Sequence, residues 1–319
     1  IQLYICLMYV SITYINSYKV FISFAYNEDR IDAIRNLKFF LVHAVYDLPG
    51  HVDVIDYGLV INGPCESNYC MKPIDYINNK QLLNKKHIIR RKNIGYDFGA
   101  HSAMLNQLHE ENSTYDYYMF LNSGIMGPFF DINNNNKKKV IIPNHWIELF
   151  INKMIKNVGI VGTTIVCVSE ATHGVMYGPK VEGFSFLLSK KSLNIIQKNG
   201  TIFYNHESKV HAIHHGEYRL STVLIENNIS MDCMLNKYHN WNWLDKSNWK
   251  CNSYKHPSKP KNYFGKSVHP YEVVLYKQNW KGKKPQYVDF INKYEKEAYK
   301  SKINGMNMTK IPKCKKHHI

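Results

Sequence analysis

The chain has 319 residues, of which 45% are hydrophobic, so it can bury a core and does not have the composition of an intrinsically disordered protein. It carries 41 Lys and Arg against 25 Asp and Glu, a formal charge of +16 that favours phosphate-bearing ligands, polyanions or anionic surfaces. The surplus is mostly lysine scattered among asparagines, and no recognisable nucleic-acid-binding module accompanies it, so we interpret it first as surface composition.

The first predicted element is an apolar N-terminal segment. Leu3–Ile15 is almost wholly apolar, and the first basic residue is Lys19. This length suits a signal peptide or the remnant of a signal anchor over residues 1–18, and the alternative is a buried first strand. A signal anchor would place the protein in the Golgi or ER lumen or, as a type II protein, in the membrane; otherwise we expect secretion. Glycosylation sequons, which weakly support a secretory-pathway glycoprotein, occur at Asn112, Asn199, Asn228 and Asn307.

The seven cysteines are widely spread and include no C-x-x-C pair, which disfavours a zinc ribbon. Cys65 and Cys70 are close enough in sequence to bridge across a loop. Cys233 could pair with Cys251. Such bridges would persist in an oxidising compartment.

The first half of the chain alternates between two patterns. Runs of β-branched and aromatic residues predict strands, and apolar residues at helical spacing predict helices. In order, we predict strand Val20–Tyr26, helix Ile31–Val45, strand Val52–Ile61, strand His87–Arg90, helix Gly99–His109 and strand Tyr115–Leu121. This alternation predicts an α/β fold with a mainly parallel sheet flanked by helices.

The second half has the same character after a low-complexity surface loop. We predict loop Asp131–Lys139, helix Trp146–Ile155, strand Val158–Val166, strand Gly183–Leu188, helix Lys190–Lys198, helix Glu217–Asn227, strand Ile229–Leu235, strand Val273–Tyr276 and helix Val288–Tyr299. Residues 301–319 form a basic tail that we expect to be disordered.

A glycine-punctuated loop, Arg91–Ala100, opens into the second predicted helix. Free N–H groups at a helix N-terminus bind anions, so the loop predicts a nucleotide-diphosphate site. Asn93 and Asp97 would contact the nucleotide. The alternatives are an ordinary glycine turn and, for Asp97, a helix cap.

The strand that follows ends in the polar residues Asn122, Ser123 and Gly124. Open α/β sheets bind ligands beyond the carboxyl ends of their strands, so these residues predict part of the same site. The alternative is a β-turn leading to Gly127 and Pro128.

Two further residues have side chains suited to chemistry. Glu217 lies beside His214 and His215 at a predicted helix start, where it could act as a general base or simply complement the helix dipole. His269 precedes Pro270 and could bind a metal or phosphate; the alternative is a turn residue.

Six motifs occur in one order along the chain: NIGYDFGA, YDYYMFLNSGIMGPFF, VGIVGTTIVC, VEGFSFLLSKKSL, GEYRLSTVLIENNIS and KCNSYKHPSKPKNYFGKSVHPYEVVLYKQNW. Together they resemble glycosyltransferase-like proteins of algae, plants and protists, with patterns such as N-x-G-x-D-x-G-A and H-P-x-E-x-x-F-x-K. That family is distantly similar to rhamnan-synthesis-type transferases. The resemblance covers about Lys19 to Trp280.

The resemblance implies a GT-A-like fold in a single large domain, residues 19–300. It implies a hexosyltransferase-like enzyme that moves a sugar from a nucleotide-diphospho-sugar to a hydroxyl of a glycan or glycoconjugate. It also implies the site residues: Asn93, Gly95, Asp97 and Gly99 on the nucleotide, Asn122 and Ser123 in place of an Asp-x-Asp metal motif, Glu217 as base and His269 as a late metal or phosphate ligand. The metal would be Mn²⁺ or Mg²⁺.

One departure from the family bears on the metal. Asn122 and Ser123 stand where an acidic pair is expected, and amide and hydroxyl oxygens are weaker ligands for a hard cation than carboxylates. Metal dependence therefore stays open. The alternative function is a catalytically inactive carbohydrate-binding or scaffold protein with the same fold. A basic nucleic-acid-binding protein is a third reading, which the net charge alone supports.

Overall fold

The computed structural model describes residues 17–28, 31–45, 54–63, 87–130, 145–170, 177–277 and 287–303. Several predictions fall outside these ranges: most of the N-terminal targeting segment, a bridge between Cys65 and Cys70, the loop Asp131–Lys139, the sequon at Asn307 and most of the basic tail. No helix within the described ranges combines the length and the apolar character needed to cross a bilayer.

The first half of the chain folds as predicted. Its elements are β1 (Lys19–Asn27), α1 (Ile31–His43), β2 (Val54–Asn62), β3 (Ile88–Arg91), α2 (Tyr96–Glu110) and β4 (Tyr117–Asn122). β1 is buried along nearly its whole length, as expected for a central strand covered on both faces.

The second half contains shorter elements. They are β5 (Ile125–Met126), α3 (Glu148–Ile151), β6 (Val158–Gly162), β7 (Ile165–Val168), β8 (Gly178–Val181), β9 (Ser185–Ser189), α4 (Lys190–Asn199), β10 (Ser230–Cys233), α6 (Pro270–Val273), β11 (Tyr276–Lys277) and α7 (Val288–Ile303). Helix α5 precedes β10 and consists of Lys209–His211, a π-helical segment Ala212–Tyr218, and Arg219–Glu226. Two 3₁₀ segments, Asn236–Tyr238 and Lys246–Tyr254, follow β10.

Seven strands form the central sheet in the order β10-β6-β9-β4-β1-β2-β3. Neighbouring strands from β4 to β3 are parallel, β10 is parallel to β6, and β9 runs antiparallel to both β4 and β6. Two small antiparallel pairs, β5–β11 and β7–β8, lie outside this sheet. The predicted α/β architecture, a mainly parallel mixed sheet flanked by helices, is confirmed.

Three element predictions in the second half differ from the structure. Val158–Val166 is two strands, β6 and β7, separated by Thr163 and Thr164. The strand predicted at Val273–Tyr276 is instead the end of α6 followed by β11. The helix predicted over Trp146–Ile155 is only the single turn α3.

The start of helix α5 was also predicted wrongly. Ser208 caps the helix, its hydroxyl accepting a 3.1 Å hydrogen bond from the His211 N–H, so the helix begins well before Glu217. Glu217 consequently lies in the middle of a continuous helix, within the π-helical segment. The alternative role for Glu217, complementing the dipole at a helix N-terminus, is therefore wrong.

A disulfide joins Cys167 to Cys251, so the predicted pairing of Cys233 with Cys251 is wrong. Cys233 is a free thiol buried on β10, where burial raises its pKa above the ordinary range. The physical reason is tertiary: Cys251 packs on the β7–β8 hairpin, whereas β10 lies at the outer edge of the central sheet.

We expect Cys251→Ser to lower the free energy of unfolding by about 2–4 kcal/mol, because the bridge closes a long loop in the unfolded chain. The two cysteines are 84 residues apart in sequence. Urea unfolding under non-reducing conditions measures the change. Dithiothreitol should destabilise the wild type by a similar amount and leave the variant unaffected; equal stability of the two proteins in oxidant would contradict the bridge.

Helix α2 is fixed to the sheet by a buried polar contact. Ser23 Oγ on β1 and His101 Nδ1 on α2 are 2.9 Å apart, and the imidazole ring packs against Phe120 on β4. Burial lowers the pKa of His101 to about 3. His145 is also buried, 2.9 Å from the Tyr57 hydroxyl, and its pKa is likewise lowered to about 3. Both imidazoles are therefore neutral in the folded protein at neutral pH.

We expect the protein to lose stability on mild acidification through these two imidazoles. Below about pH 6.5 the unfolded chain protonates His101, whereas the folded protein does not until about pH 3. Stability therefore falls with pH across this window, by about 2 kcal/mol per histidine between pH 7 and pH 5. Urea unfolding at both pH values tests this. His101→Gln should reduce the pH-dependent loss by about 2 kcal/mol, and the exposed Asn106→Gln on the same helix, which changes no titratable group, should not.

Candidate functional site

The parallel strands end in polar residues at one edge of the sheet. Asn27 of β1 is in register with Asn62 of β2, which is in register with Arg91 of β3. The Arg91 guanidinium donates a 3.2 Å hydrogen bond from Nη1 to Asn62 Oδ1. Arg90 points to a different partner, the carboxylate of Glu28 at 3.0 Å. Ligands of open α/β sheets bind at this edge, so we define it as the candidate site.

The glycine-punctuated loop and the end of β4 meet here. Asn122 Nδ2 donates a 2.7 Å hydrogen bond to Asp97 Oδ2, and Asn122 Oδ1 accepts one of 2.9 Å from the Gly124 N–H. The N-cap of α2 is Gly95, and no side chain caps the helix there. The Asp97 carboxylate thus pairs with the strand end and is not the N-cap of α2.

Gly95 and Gly99 allow a neighbouring segment to pack closely on the loop. Gly95 has a left-handed backbone, with φ 77°, and a Cβ there would lie 2.5 Å from the Cα of Asn205. A Cβ on Gly99 would lie 2.6 Å from Asn205 Oδ1, the same atom that accepts a 2.8 Å bond from Arg91. Asn93, in the same loop, is exposed. The packing of Asn205 explains the need for both glycines, and sequence reasoning did not identify Asn205.

Ser123 is buried and holds two elements together. Its Oγ accepts a 3.4 Å hydrogen bond from the Asn27 N–H, and its carbonyl accepts one of 2.9 Å from Asn36 on α1. Ser123 is 3% exposed, so its hydrogen bonds hold β1 and α1 to the end of β4 inside the protein.

A network of ionisable side chains lies beside this edge; we call Lys180, Glu182, Glu217, His256 and Lys277 the ionic network. Lys180 Nζ is 2.6 Å from Glu182 Oε1 and also donates to Glu217 Oε1. His256 Nε2 is 3.3 Å from the other oxygen of Glu182. Sequence reasoning identified only Glu217.

Burial and pairing set the charges of this network. Burial opposes the charge on Lys180, but the two carboxylates outweigh it and hold the lysine pKa above its ordinary value. Burial likewise opposes ionisation of Glu182, but Lys180 and His256 hold its pKa well below the usual range. Lys180 and Glu182 therefore form a charged buried pair, and such a pair is stable only while both partners are present.

Lys277 joins the network to the candidate site. It lies on β11, paired with Ile125 immediately after the polar end of β4, and its ammonium group is 4.6 Å from the centre of the Phe184 ring. Burial lowers its pKa, and the negative charges of Glu182, Glu217 and Asp97 partly oppose that shift. Lys277 is the last residue of the H-P-x-E-x-x-F-x-K pattern, so this pattern could have identified Lys277 as a site residue from the sequence.

Glu217 is the one carboxylate of the ionic network with substantial access to solvent. Its side chain is 19% exposed, against 2% for Glu182. A Cβ on Gly183 would lie 3.2 Å from Glu217 Cγ and 3.4 Å from the Phe98 ring of α2. Gly183 thus allows Glu217 to approach the helix that carries Asp97.

His269 has a structural role. Its Nδ1 accepts a 3.2 Å hydrogen bond from the Tyr271 N–H as the N-cap of α6, and its ring packs against Tyr287 and Phe290. Within the described ranges no group of three or more His, Cys, Asp or Glu could hold a metal ion. Both polar ends of the Asn122 amide are also engaged. Binding of Mn²⁺ or Mg²⁺ by Asn122, Ser123 and His269 stays a prediction, because Mg²⁺ commonly takes only one or two protein ligands together with substrate phosphates.

No protein-family profile matches the chain, and no curated protein matches it in sequence. Solved structures with a similar arrangement include the glycosyltransferase GlyE of Streptococcus pneumoniae TIGR4, at TM-score 0.44 and 11% identity over 91% of this chain and 64% of that one. Mouse xyloside xylosyltransferase 1 aligns at TM-score 0.42 and 11% identity, covering 82% of this chain and 98% of that one. An active-site mutant of LgtC aligns at TM-score 0.39 and 12% identity, covering 92% and 97%.

The chain spans about 64% of the length of GlyE. With identities of 12% or less and TM-scores of 0.44 or less, these likenesses carry neither a substrate nor a mechanism over to this chain.

Proposed function

We propose that the protein is a glycosyltransferase that moves a sugar from a nucleotide-diphospho-sugar to a hydroxyl of a glycan or glycoconjugate. The observation that carries the proposal is the contact between Asp97 and Asn122. It joins a helix-opening loop to a strand end at the ligand-binding edge of the sheet, beside a buried ionic network. The six ordered sequence motifs support the same activity.

In this proposal the loop Asn93–Gly99 binds the nucleotide. Asp97 accepts hydrogen bonds from a ribose hydroxyl, as acidic residues do beside other nucleotide loops. Free N–H groups at the start of α2 face the phosphates. Lys277 and Arg91 supply positive charge that offsets the diphosphate.

Glu217 is the proposed general base. Lys180 holds its carboxylate in place while leaving it partly exposed. The carboxylate accepts the proton of the acceptor hydroxyl as the acceptor oxygen bonds to the anomeric carbon. The bond from that carbon to the diphosphate breaks, and the nucleoside diphosphate leaves with the electron pair. A direct displacement of this kind inverts the anomeric centre.

We place this activity in an oxidising compartment of the secretory pathway. The Cys167–Cys251 disulfide supports the proposal, because such bridges are rare in reducing compartments. The sequon asparagines Asn112 and Asn228 are exposed, as glycosylation requires.

The test uses a panel of UDP-, GDP- and dTDP-sugars, each with and without Mn²⁺. Calorimetry measures binding, and release of the nucleoside diphosphate measures turnover. We expect one donor to bind, and Asp97→Ala to weaken it at least about tenfold. The exposed Asp289→Ala is the matched control. Absence of binding by every donor would overturn the proposal. Donor binding without transfer to any acceptor would instead support the inactive carbohydrate-binding alternative.

A further inference from the structure

A cavity of about 460 Å³ lies in the segment between β10 and α6, and it shares no lining residue with the ionic network. Its walls come from the second 3₁₀ segment and from the turn around Phe264. Two aromatic residues, Trp241 and Phe264, line it together with Asn248 and Asn262. Its volume is within the range of small-ligand sites.

The cavity has a preorganised wall. Asn252 is buried, and its Nδ2 donates hydrogen bonds of 2.7 Å to the carbonyls of Lys255 and Asn262. Its Oδ1 accepts a 3.1 Å bond from the Phe264 N–H. One side chain thus holds three parts of the rim together. The preceding residue, Cys251, is anchored by the disulfide to β7.

The backbone of this wall is strained. Asn252, Ser253 and Tyr254 have φ values of 49°, 51° and 59°, three consecutive left-handed residues with side chains. A left-handed conformation is unfavourable for such residues and persists only where the surroundings enforce it. Strain of this kind is concentrated at ligand sites, so the wall is a second indication of binding.

The lining chemistry selects the class of ligand. Lys250 and Lys255 line the cavity, and none of the described residues lining it is acidic. Both lysines are exposed, so their ammonium groups can meet an anion at little cost in desolvation. Phe264 is 46% exposed and offers an aromatic face to the C–H surface of a sugar ring. Amides from Asn248 and Asn262 suit hydroxyl groups.

The position of the cavity relates it to the ionic network. Lys255 of the cavity precedes His256, which contacts Glu182 of the network. The cavity wall is bonded to the β7–β8 hairpin through Cys251, and Lys180 of the network lies on β8. A chain bound in the cavity therefore lies beside the hairpin that carries Lys180, the residue that donates to the proposed base Glu217.

We propose that this cavity binds an acidic saccharide, bearing carboxylate or sulfate groups, as the acceptor of the transfer. That the saccharide is an acceptor rests on the proposed function, but binding of the saccharide can be measured independently of that function. Lys250 and Lys255 pair with the anionic groups, and Phe264 with Trp241 packs on the sugar rings.

In the test, the full-length protein is titrated with a galacturonate tetramer, a sulfated galactose tetramer and the neutral galactose tetramer. Tryptophan fluorescence and calorimetry measure the binding. We expect one of the two acidic tetramers to bind at least about tenfold more tightly than the neutral one, and to weaken as salt is raised. The tetramer that binds identifies the anionic group. Equal affinity for all three tetramers, or no saturable binding, would overturn the proposal.

Variants assign the binding to the cavity. Lys250→Ala with Lys255→Ala should weaken the acidic tetramer at least about tenfold and leave the neutral one nearly unchanged. Phe264→Ala should weaken both. The control carries Lys237→Ala and Lys259→Ala, two exposed lysines outside the cavity. Unchanged binding in the Lys250 and Lys255 double variant would contradict the assignment.

Failure of this inference is distinguishable from failure of the proposed function. Transfer to a neutral acceptor that is unaffected by the lysine variants would overturn the cavity assignment and leave the transferase standing. Acidic tetramer binding by a protein that binds no nucleotide-sugar would sink the transferase, and with it the role of the cavity as an acceptor site.

Discussion

Glu217→Gln should lower kcat by about 10²–10⁴-fold and leave the affinity for the nucleotide-sugar close to that of the wild type, because loss of a general base affects the chemical step. The substitution keeps the size of the side chain and an oxygen that can still accept from Lys180. Glu217 is the accessible carboxylate of the ionic network, 19% exposed, and so it can reach an acceptor hydroxyl. Steady-state kinetics with a matched donor and acceptor measure the effect, and thermal unfolding checks the fold.

The matched control is Glu226→Gln, which lies on the same helix with its side chain 51% exposed and pairs with Arg219. Its kcat should stay within about twofold of the wild type, as for a surface change away from the site. A Glu217→Gln protein with an unchanged kcat would exclude Glu217 as the base. Glu182 cannot replace it in the proposal, because that carboxylate is 2% exposed and held on both sides.

Lys180→Met should lower the free energy of unfolding at pH 7 by about 3–5 kcal/mol, the largest stability effect that we expect. Methionine fills a similar volume but leaves the Glu182 carboxylate buried beside Glu217 without its cation. The folded pKa of Glu182 would then rise above its unfolded value. The folded variant would bind more protons than the unfolded chain, so its stability should recover as pH falls and the carboxylate becomes protonated.

A double-mutant cycle separates lost pairing from lost packing. Adding Glu182→Gln to Lys180→Met should restore part of the stability, because it removes the buried carboxylate charge that has lost its Lys180 partner. Lys191→Met, at an exposed position on α4, is the control and should change stability by less than about 0.5 kcal/mol. If Lys180→Met is as stable as this control, the buried ion pair is not formed in solution.

Local patterns predicted the first half of the fold. The strands from β1 to β4 are contiguous β-branched and aromatic runs, and the intervening helices have apolar residues at helical spacing. The polar end of β4 was recognisable because carboxyl ends of parallel strands gather at one edge. Asp97 and Asn122 were both selected from sequence, and the structure brings them into contact.

The errors concern residues whose surroundings the local pattern of apolar residues does not reveal. The N-cap Ser208 precedes a run of histidines with no helical apolar pattern, so the start of α5 was placed too late. The disulfide partner of Cys251 lies 84 residues away, and no spacing rule selects Cys167 over Cys233. His269 caps α6 through the Tyr271 N–H and packs against Tyr287 and Phe290, contacts that the sequence context did not indicate.

The sequence by itself determined the α/β class, the parallel edge and the glycine-punctuated loop, because each depends on the period and punctuation of residues close together in the chain. Only the tertiary structure decided which charges meet. Lys180, Glu182, Glu217 and Lys277 lie on separate strands, loops and a helix, and a lysine or glutamate in a single sequence is usually a surface residue. Their pairing depends on burial, and burial is set by the packing of the β7–β8 hairpin and α5 against the sheet.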